Sequence, residues 1–513
     1  MQKLKCILVL ILLFCSSLIF SQDENFNEKM IQLRDDKTIS NDSLFTILSN
    51  WNEYQELDST GVFIQFNNQI NDTLQAPYIV YIPSDYQCQN KTPLLVYLHG
   101  GVSRQQFIEG YIEYIQDNTF KQFADEVNWI MLFPMGNIDT TWWDLNGIRN
   151  IKQQIRILKA KYNIDDNRIW ITGFSDGGSA SFHFALNDPN DFACLYPLNG
   201  YVSVGSRVTN TPVFLPNLMN RPVYVVNTDL DRLYPSAKMK PLMELSLEAG
   251  ANLLYKEYYG IGHEFTYADE EIPIMIENMK NHIRDIFRPK IYWESWSPDF
   301  NKCDWIEIVS LDTTETQKEW QKQYQATMAD DRIQFGFFHD NEYQDQGIKV
   351  NNLIDGESTA KEMGLMAGDV VIKMDGVETN DINDMDSLKT FKLRGDHVSL
   401  TVKREGDIIE LFGQFPDTTY YDAFLYNKPS GAITVTYCGN QFDIETSRVR
   451  EFAIYLHPDM VNFKNPVSVT INGKEVFNDI VNIDRDFLIT NFQNNRDRSA
   501  LWTKRLVFEV GSI

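Results

Sequence analysis

"NRIWITGFSDGGSASFHFAL" spans Asn167–Leu186 and passes from a β-branched, aromatic run into small residues and then into a helix-like pattern. The run reads as a strand covered on both faces, the small residues as a tight turn, and the remainder as a helix. In the turn, Gly173, Phe174, Ser175, Asp176 and Gly177 spell G-x-S-x-G. A serine there occupies a bend too sharp for bulky neighbours, so its hydroxyl projects beyond the C-terminal end of the strand. Average composition produces such a match by chance about a tenth of a time in a chain of this length. The strand before it and the helix after it make the match far more specific.

Working outward, short apolar runs recur on both sides: "LLVYLHG", "NWIMLFP", "ACLYPLNG", "PVYVVNT" and "LLYKEYYG". Helical stretches lie between them, the clearest being "GIRNIKQQIRILKAKY", where Ile148, Ile151, Ile155, Leu158 and Tyr162 recur every three or four residues. Continuous apolar strands alternating with helices predict a parallel α/β sheet, set here at residues 76–288. A helix-leaning polar segment and leading strands occupy residues 22–75.

A serine hydroxyl becomes nucleophilic only when a base takes its proton, and in this fold order an acid and a histidine follow the serine. His263 lies in the glycine-flanked loop "YYGIGHEF" after the last strand, where an imidazole can reach Ser175. His183 and His282 fall on helices and read as packed or solvated. The acid belongs after the preceding strand, "RPVYVVNTDLDRLYP", which offers Asp229 and Asp231. Asp231 is favoured because it starts an Asp-x-x-x-Pro turn, with Asp229 in reserve. Two backbone amides must receive the oxyanion. Asp176 supplies one, and Gly101 or its neighbour in "YLHGG" the other. His99 shapes that loop, and Trp142 and Trp143 in "DTTWWDLNG" share the rim. These three are the expected substrate-binding residues, with core packing an equal reading for the tryptophans.

With "YLHGG", "FPMGNIDTTWWD", the serine turn, "DRLYP" and "GIGHEF" in hand, residues of about 76–288 resemble α/β-hydrolases, nearest to exported polyhydroxyalkanoate-depolymerase, feruloyl-esterase and phospholipase/carboxylesterase-like enzymes. The resemblance implies hydrolysis of carboxylic esters without metal or organic cofactor, with Ser175 as nucleophile, Asp231 as acid and His263 as base. Asp176 departs from the small or apolar residue such esterases often carry there. Residues 332–415 resemble a bacterial PDZ domain through "GLMAGDVVIKMDGVETND" and "VSLTVKREGDIIEL". Such domains add a chain terminus to a sheet edge as an extra strand. The resemblance implies a peptide or protein C-terminus held near "FGFF", at Phe335, Gly336 and Phe337.

The segment 289–331 is too short to bury a core, and 416–513 reads as short strands. Together they predict one β-sandwich interrupted by the PDZ-like insertion. A Cys303 to Cys438 disulfide is compatible with that arrangement. The leading "MQKLKCILVLILLFCSSLIFSQ" reads as an export signal over residues 1–21, which predicts a periplasmic or secreted protein. No later run has the roughly 18 apolar residues of a membrane span. A formal charge of -25 over 513 residues argues against nucleic acid as a partner. The leading expectation is an exported serine esterase acting on a small or polymeric ester. A serine peptidase of the same fold and a non-catalytic binding protein are the alternatives.

Overall fold

A strand buried on both faces needs apolar side chains at successive positions, and Ile169, Trp170 and Ile171 are all fully buried. Each such side chain contributes about 1.5–3 kcal/mol by leaving water. These residues lie at the centre of the main sheet. The computed structural model describes residues 25–511, so the export signal lies outside the described residues. The main sheet comprises β1 (Val62–Gln69), β2 (Gln75–Ile82), β3 (Thr92–Leu98), β4 (Ile130–Pro134), β5 (Ile164–Phe174), β6 (Cys194–Leu198), β7 (Val223–Thr228) and β8 (Leu253–Tyr258), in the order β1-β2-β4-β3-β5-β6-β7-β8. β1 and β2 form an antiparallel hairpin and β2 runs antiparallel to β4, while every pairing from β4 to β8 is parallel. β1 pairs with β2 along its whole length, so the sheet starts at Val62 rather than at the residue 76 boundary drawn from the sequence pattern.

The helix Leu145–Lys161 shows how the sequence sets an element. Asp144 caps it by accepting from the Gly147 amide at 2.7 Å, and Lys159 and Lys161 fall in the last turn, where the helix dipole favours cations. Its apolar stripe, Ile148, Ile151, Ile155 and Leu158, is buried.

After the hydrolase-like sheet the chain forms β9 (Lys290–Ser295), β10 (Lys302–Cys303) and β11 (Ile306–Leu311). It then leaves for a separate compact unit, Ala326–Ala423, wider than the 332–415 read from sequence. That unit holds β12 (Thr327–Asp330), β13 (Phe337–His339), β14 (Ile348–Leu353), β15 (Val370–Met374), β16 (Val377–Glu378), β17 (His397–Arg404), β18 (Asp407–Gln414) and β19 (Thr419–Asp422). Its main sheet runs β13-β14-β15-β17-β18 with β16 paired to β15. The Gly-Asp turn of the sequence pattern has a clear cause: buried Asp369 takes Arg404 through two bonds of 2.7 Å and the Met366 amide at 2.8 Å.

The chain returns as β20 (Gly431–Cys438), β21 (Gln441–Ser447), β22 (Val449–Leu456), β23 (Val467–Ile471), β24 (Lys474–Asp479) and β25 (Lys504–Glu509). β9 pairs with β20 and β11 with β22, so strands from before the insertion sit in sheets completed by strands from after it. The sheet orders are β24-β23-β21-β20-β9 and β10-β11-β22-β25. Trp293, Trp305, Ile306, Phe442 and Phe452 fill one core shared by both. The disulfide is corrected: Cys303 and Cys438 are free thiols, Cys303 buried and Cys438 exposed. The free thiols leave strand pairing and this core to join the two halves.

Buried charges fix how these strands meet the hydrolase-like region. Asp304 is gripped by Arg221 and Arg288, and although burial raises its pKa, the two guanidiniums outweigh that and hold the carboxyl below its usual value. Asn217 bonds both the amide and the carbonyl of Glu294 on β9. Lys159, Asp166, Arg284, Asp497 and Arg498 form a second buried network. Removing one partner from such a set strands the others' charge in the interior, which costs about 3–5 kcal/mol.

Candidate active site

Ser175 closes β5 with φ 62° and ψ -117°, a conformation costly for any side chain other than glycine and characteristic of functional turns. The motif glycines are explained by close approach. A Cβ on Gly173 would lie 2.5 Å from the Leu98 carbonyl oxygen, and one on Gly177 only 2.0 Å from the same atom. The Ser175 amide donates to Leu198 at 3.0 Å, which ties the bend to β6. The helix Asp176–Asn187 starts immediately afterwards and directs its positive end at the serine.

Ser175 Oγ lies 2.9 Å from His263 Nε2, and His263 Nδ1 lies 2.7 Å from Asp231 Oδ2. Asp231 follows β7 and His263 follows β8, so loops at one end of the parallel strands bring the three together. Asp231 is buried, and its Oδ1 accepts from the amides of Leu233 and Tyr234 at 2.8 and 2.9 Å. Its Oδ2 also accepts from Asn199 Nδ2 at 2.8 Å. Burial works to raise this carboxyl's pKa, but the bonds from His263, the Tyr234 amide and Asn199 outweigh it and keep the group ionised below the usual value. Asp229 takes a different place. It accepts from the Gly260 amide at 2.7 Å and supports the turn that carries His263.

Sequence reasoning passed over Asn199 and Thr228. Asn199 has φ 43° at the end of β6, bonds Thr228 Oγ1 at 2.7 Å and accepts from Tyr267 at 2.6 Å. Thr228 in turn donates to the Gly262 carbonyl at 2.8 Å, beside His263. The available signal was an Asn-Gly pair at a strand's C-terminal end, where a side chain reaches the rim. Tyr234 was passed over as well: its ring stands edge-on to His263 at 5.8 Å and stacks on Tyr201 at 5.9 Å. Phe174 lies 5.0 Å from the imidazole in a tilted arrangement.

The loop after β3 approaches the serine through Gly100, where a Cβ would stand 3.1 Å from Ser175 Cβ and 3.6 Å from its Oγ. Gly101 follows with φ 63°. The three residues expected to touch substrate are corrected. His99, Trp142 and Trp143 are all buried. His99 Nε2 accepts from the Gly136 amide at 3.0 Å, which leaves Nδ1 protonated to donate to Gly100 at 2.9 Å. Trp142 Nε1 donates to the His99 carbonyl at 2.9 Å. The physical reason is that the "YLHGG" turn needs a floor, which His99 and Trp142 make, while Trp143 packs beside Gly205.

Buried histidines give this protein an acid limit. Burial lowers the pKa of His99, His183 and His457 to about 4 each, so all three are neutral in the fold. In the unfolded chain each takes a proton below about 6.5. Unfolding therefore binds protons between those values, and the stability these groups contribute is complete above pH of about 6.5 and lost as pH falls towards 4. The melting temperature should decline steadily across that window, and His183→Asn should flatten the slope. A melting temperature independent of pH there would contradict the assignment.

In the separate unit, Phe335 is a core side chain, 5.1 Å from the ring of Phe415, and its carbonyl accepts from the Ala360 amide at 2.8 Å. Gly336 has φ 87°, and Phe337 opens β13, the terminal strand of its sheet order. An edge strand presents unpaired amides and carbonyls.

Comparison with known proteins finds two matching families. Residues 132–285 match the phospholipase/carboxylesterase family, and residues 325–411 match the PDZ domain. The bifunctional acetylxylan esterase/xylanase XynS20E of Neocallimastix patriciarum is 30% identical over 138 residues, 26% of this chain and 19% of that protein. The chain thus spans about a fifth of the length of that curated relative. Among solved structures, a thermostable esterase is 24% identical over 43% of this chain and 63% of its own, with a TM-score of 0.37. A ferulic acid esterase is 13% identical over 44% of this chain and 99% of its own, with a TM-score of 0.36. Two families therefore meet in one chain, an α/β-hydrolase domain of the phospholipase/carboxylesterase kind and a PDZ domain.

Proposed function

We propose that the protein is an exported serine hydrolase that cleaves carboxylic esters, with a PDZ domain that takes an extended peptide end. The observation that carries the reading is the unbroken relay from Ser175 Oγ through His263 to Asp231, with distances of 2.9 and 2.7 Å. Ser175 attacks the ester carbonyl carbon while His263 Nε2 takes its proton. The oxyanion accepts from the Asp176 amide and from the Gly100–Gly101 turn. As the tetrahedral species collapses, His263 returns the proton to the departing alcohol. Water then attacks the acyl-enzyme, gives its proton to His263, and the acid leaves as Ser175 regains its hydrogen. Asp231 holds the imidazole in the required tautomer and balances its transient charge.

Leu230, Leu233 and Tyr259 are exposed on the loops that carry the acid and base, which suits apolar ester groups. The leading Lys-flanked apolar stretch supports export, and the edge position of β13 supports strand addition by a peptide. Purified protein given short acyl esters and blocked dipeptide amides should turn over the esters at least about 100-fold faster, a gap of about 2.7 kcal/mol in barrier. Turnover of the amides alone would reverse the assignment in favour of a peptidase.

A further inference from the structure

The turn His99–Arg104 is held by side chains that engage its carbonyls one after another. Trp142 Nε1 donates to the His99 carbonyl at 2.9 Å, His99 Nδ1 to Gly100 at 2.9 Å, and Arg104 Nε to Gly101 at 2.8 Å. In a trans peptide the N–H points opposite to the carbonyl of the same unit. The amides of Gly100, Gly101 and Val102 therefore face away from those three donors. The Val102 amide meets a specific acceptor there, Asp176 Oδ2 at 2.9 Å.

Asp176 is the residue after the nucleophile and the first of its helix, so its carboxylate sits where the helix dipole favours negative charge. It also bridges 74 positions of sequence, joining the serine turn to the loop after β3. Resting on the serine-esterase reading above, we propose that Asp176 is a positioning residue that organises both halves of the oxyanion hole, its own amide being one donor and its carboxylate fixing the turn that bears the other. Gly101 gives such a clamp work to do. A glycine with φ 63° has little intrinsic preference for that conformation, and without an acceptor for Val102 the Gly101–Val102 peptide plane is held from one side only, by Arg104. The charge unusual at this position is then consumed by the loop rather than displayed to substrate.

The test compares kcat and KM of the full-length protein and its Asp176→Ala, Asp176→Ser and Asp176→Asn variants on p-nitrophenyl acetate, with Ser175→Ala alongside. Removing an oxyanion donor costs about 100- to 1,000-fold in kcat, so loosening one should cost Asp176→Ala and Asp176→Ser about 30- to 100-fold with KM changed less than about threefold. Asparagine retains an oxygen for the Val102 amide and should recover kcat to within about fivefold of wild type. The clamp is overturned if the alanine and serine variants stay within about threefold of wild type, or if asparagine is as slow as alanine. Should Ser175→Ala keep wild-type turnover, the nucleophile assignment itself falls and the clamp with it, a result distinct from either of the first two.

Discussion

Alanine in place of Ser175 should lower ester turnover by about 10⁵- to 10⁶-fold and abolish covalent labelling by a fluorophosphonate. The size follows from what is lost. Without Oγ no acyl-enzyme forms, and His263 Nε2 loses the hydroxyl that stood 2.9 Å away and whose proton it takes. The amides of Asp176 and the Gly100–Gly101 turn remain, so a residual rate of about 10³-fold over uncatalysed hydrolysis should persist. The side chain removed is small and its backbone is tied to Leu198 and Ser179, so the fold should be unaffected. Because alanine tolerates the positive φ no better than serine, any change in melting temperature should stay within a few degrees. Intact-mass measurement after labelling reads the outcome directly. An adduct on the alanine variant would show that another residue is the nucleophile.

Asparagine in place of Asp231 should lower kcat by about 10⁴-fold, although it is nearly the same shape. The carboxylate's oxygens receive four donors: the amides of Leu233 and Tyr234 at Oδ1, and Asn199 and His263 at Oδ2. An asparagine must turn its NH₂ towards one pair. Turned towards the amides, it sets donor against donor in the tight turn after β7. Turned towards His263, it forces the imidazole to accept through Nδ1, which leaves the proton on Nε2 and no lone pair for the Ser175 hydroxyl. The first orientation keeps the imidazole's tautomer at the expense of the turn, and the second disables the base while preserving every distance. The pH profile of kcat/KM distinguishes the second case, because activity should return partly at high pH where the serine itself ionises. Retention of more than about a tenth of wild-type kcat would show that Asp231 does not orient the base.

The reserve acid illustrates why neighbouring residues differ so much. Asp229 and Asp231 lie two positions apart, both beyond β7, and in the sequence only the Asp-x-x-x-Pro turn favours Asp231. Asp229 caps the Gly260 amide and so supports the loop that His263 rides on, whereas Asp231 is buried against Asn199 and the imidazole. Asn199 comes from the end of β6, and its presence beside β7 depends on sheet order rather than on anything adjacent in the chain. The same holds for the thiols: Cys303 and Cys438 belong to strands of one sandwich, yet one is buried and the other exposed, and neither is bonded.

By itself the sequence determined the serine turn, the alternation of buried strands with helices, the loop histidine and the Gly-Asp signature of the inserted domain. These are short-range consequences of backbone sterics and of apolar spacing, which any segment carries with it. Tertiary structure alone decided that His99, Trp142 and Trp143 are buried and that His99 and Trp142 brace the loop after β3. It likewise gave Asp229 its place under the turn that carries His263, and decided that Asp176 reaches across to Val102. The reason is physical: burial and hydrogen bonding between residues distant in the chain depend on which elements become neighbours, and that is settled by the packing of the whole sheet.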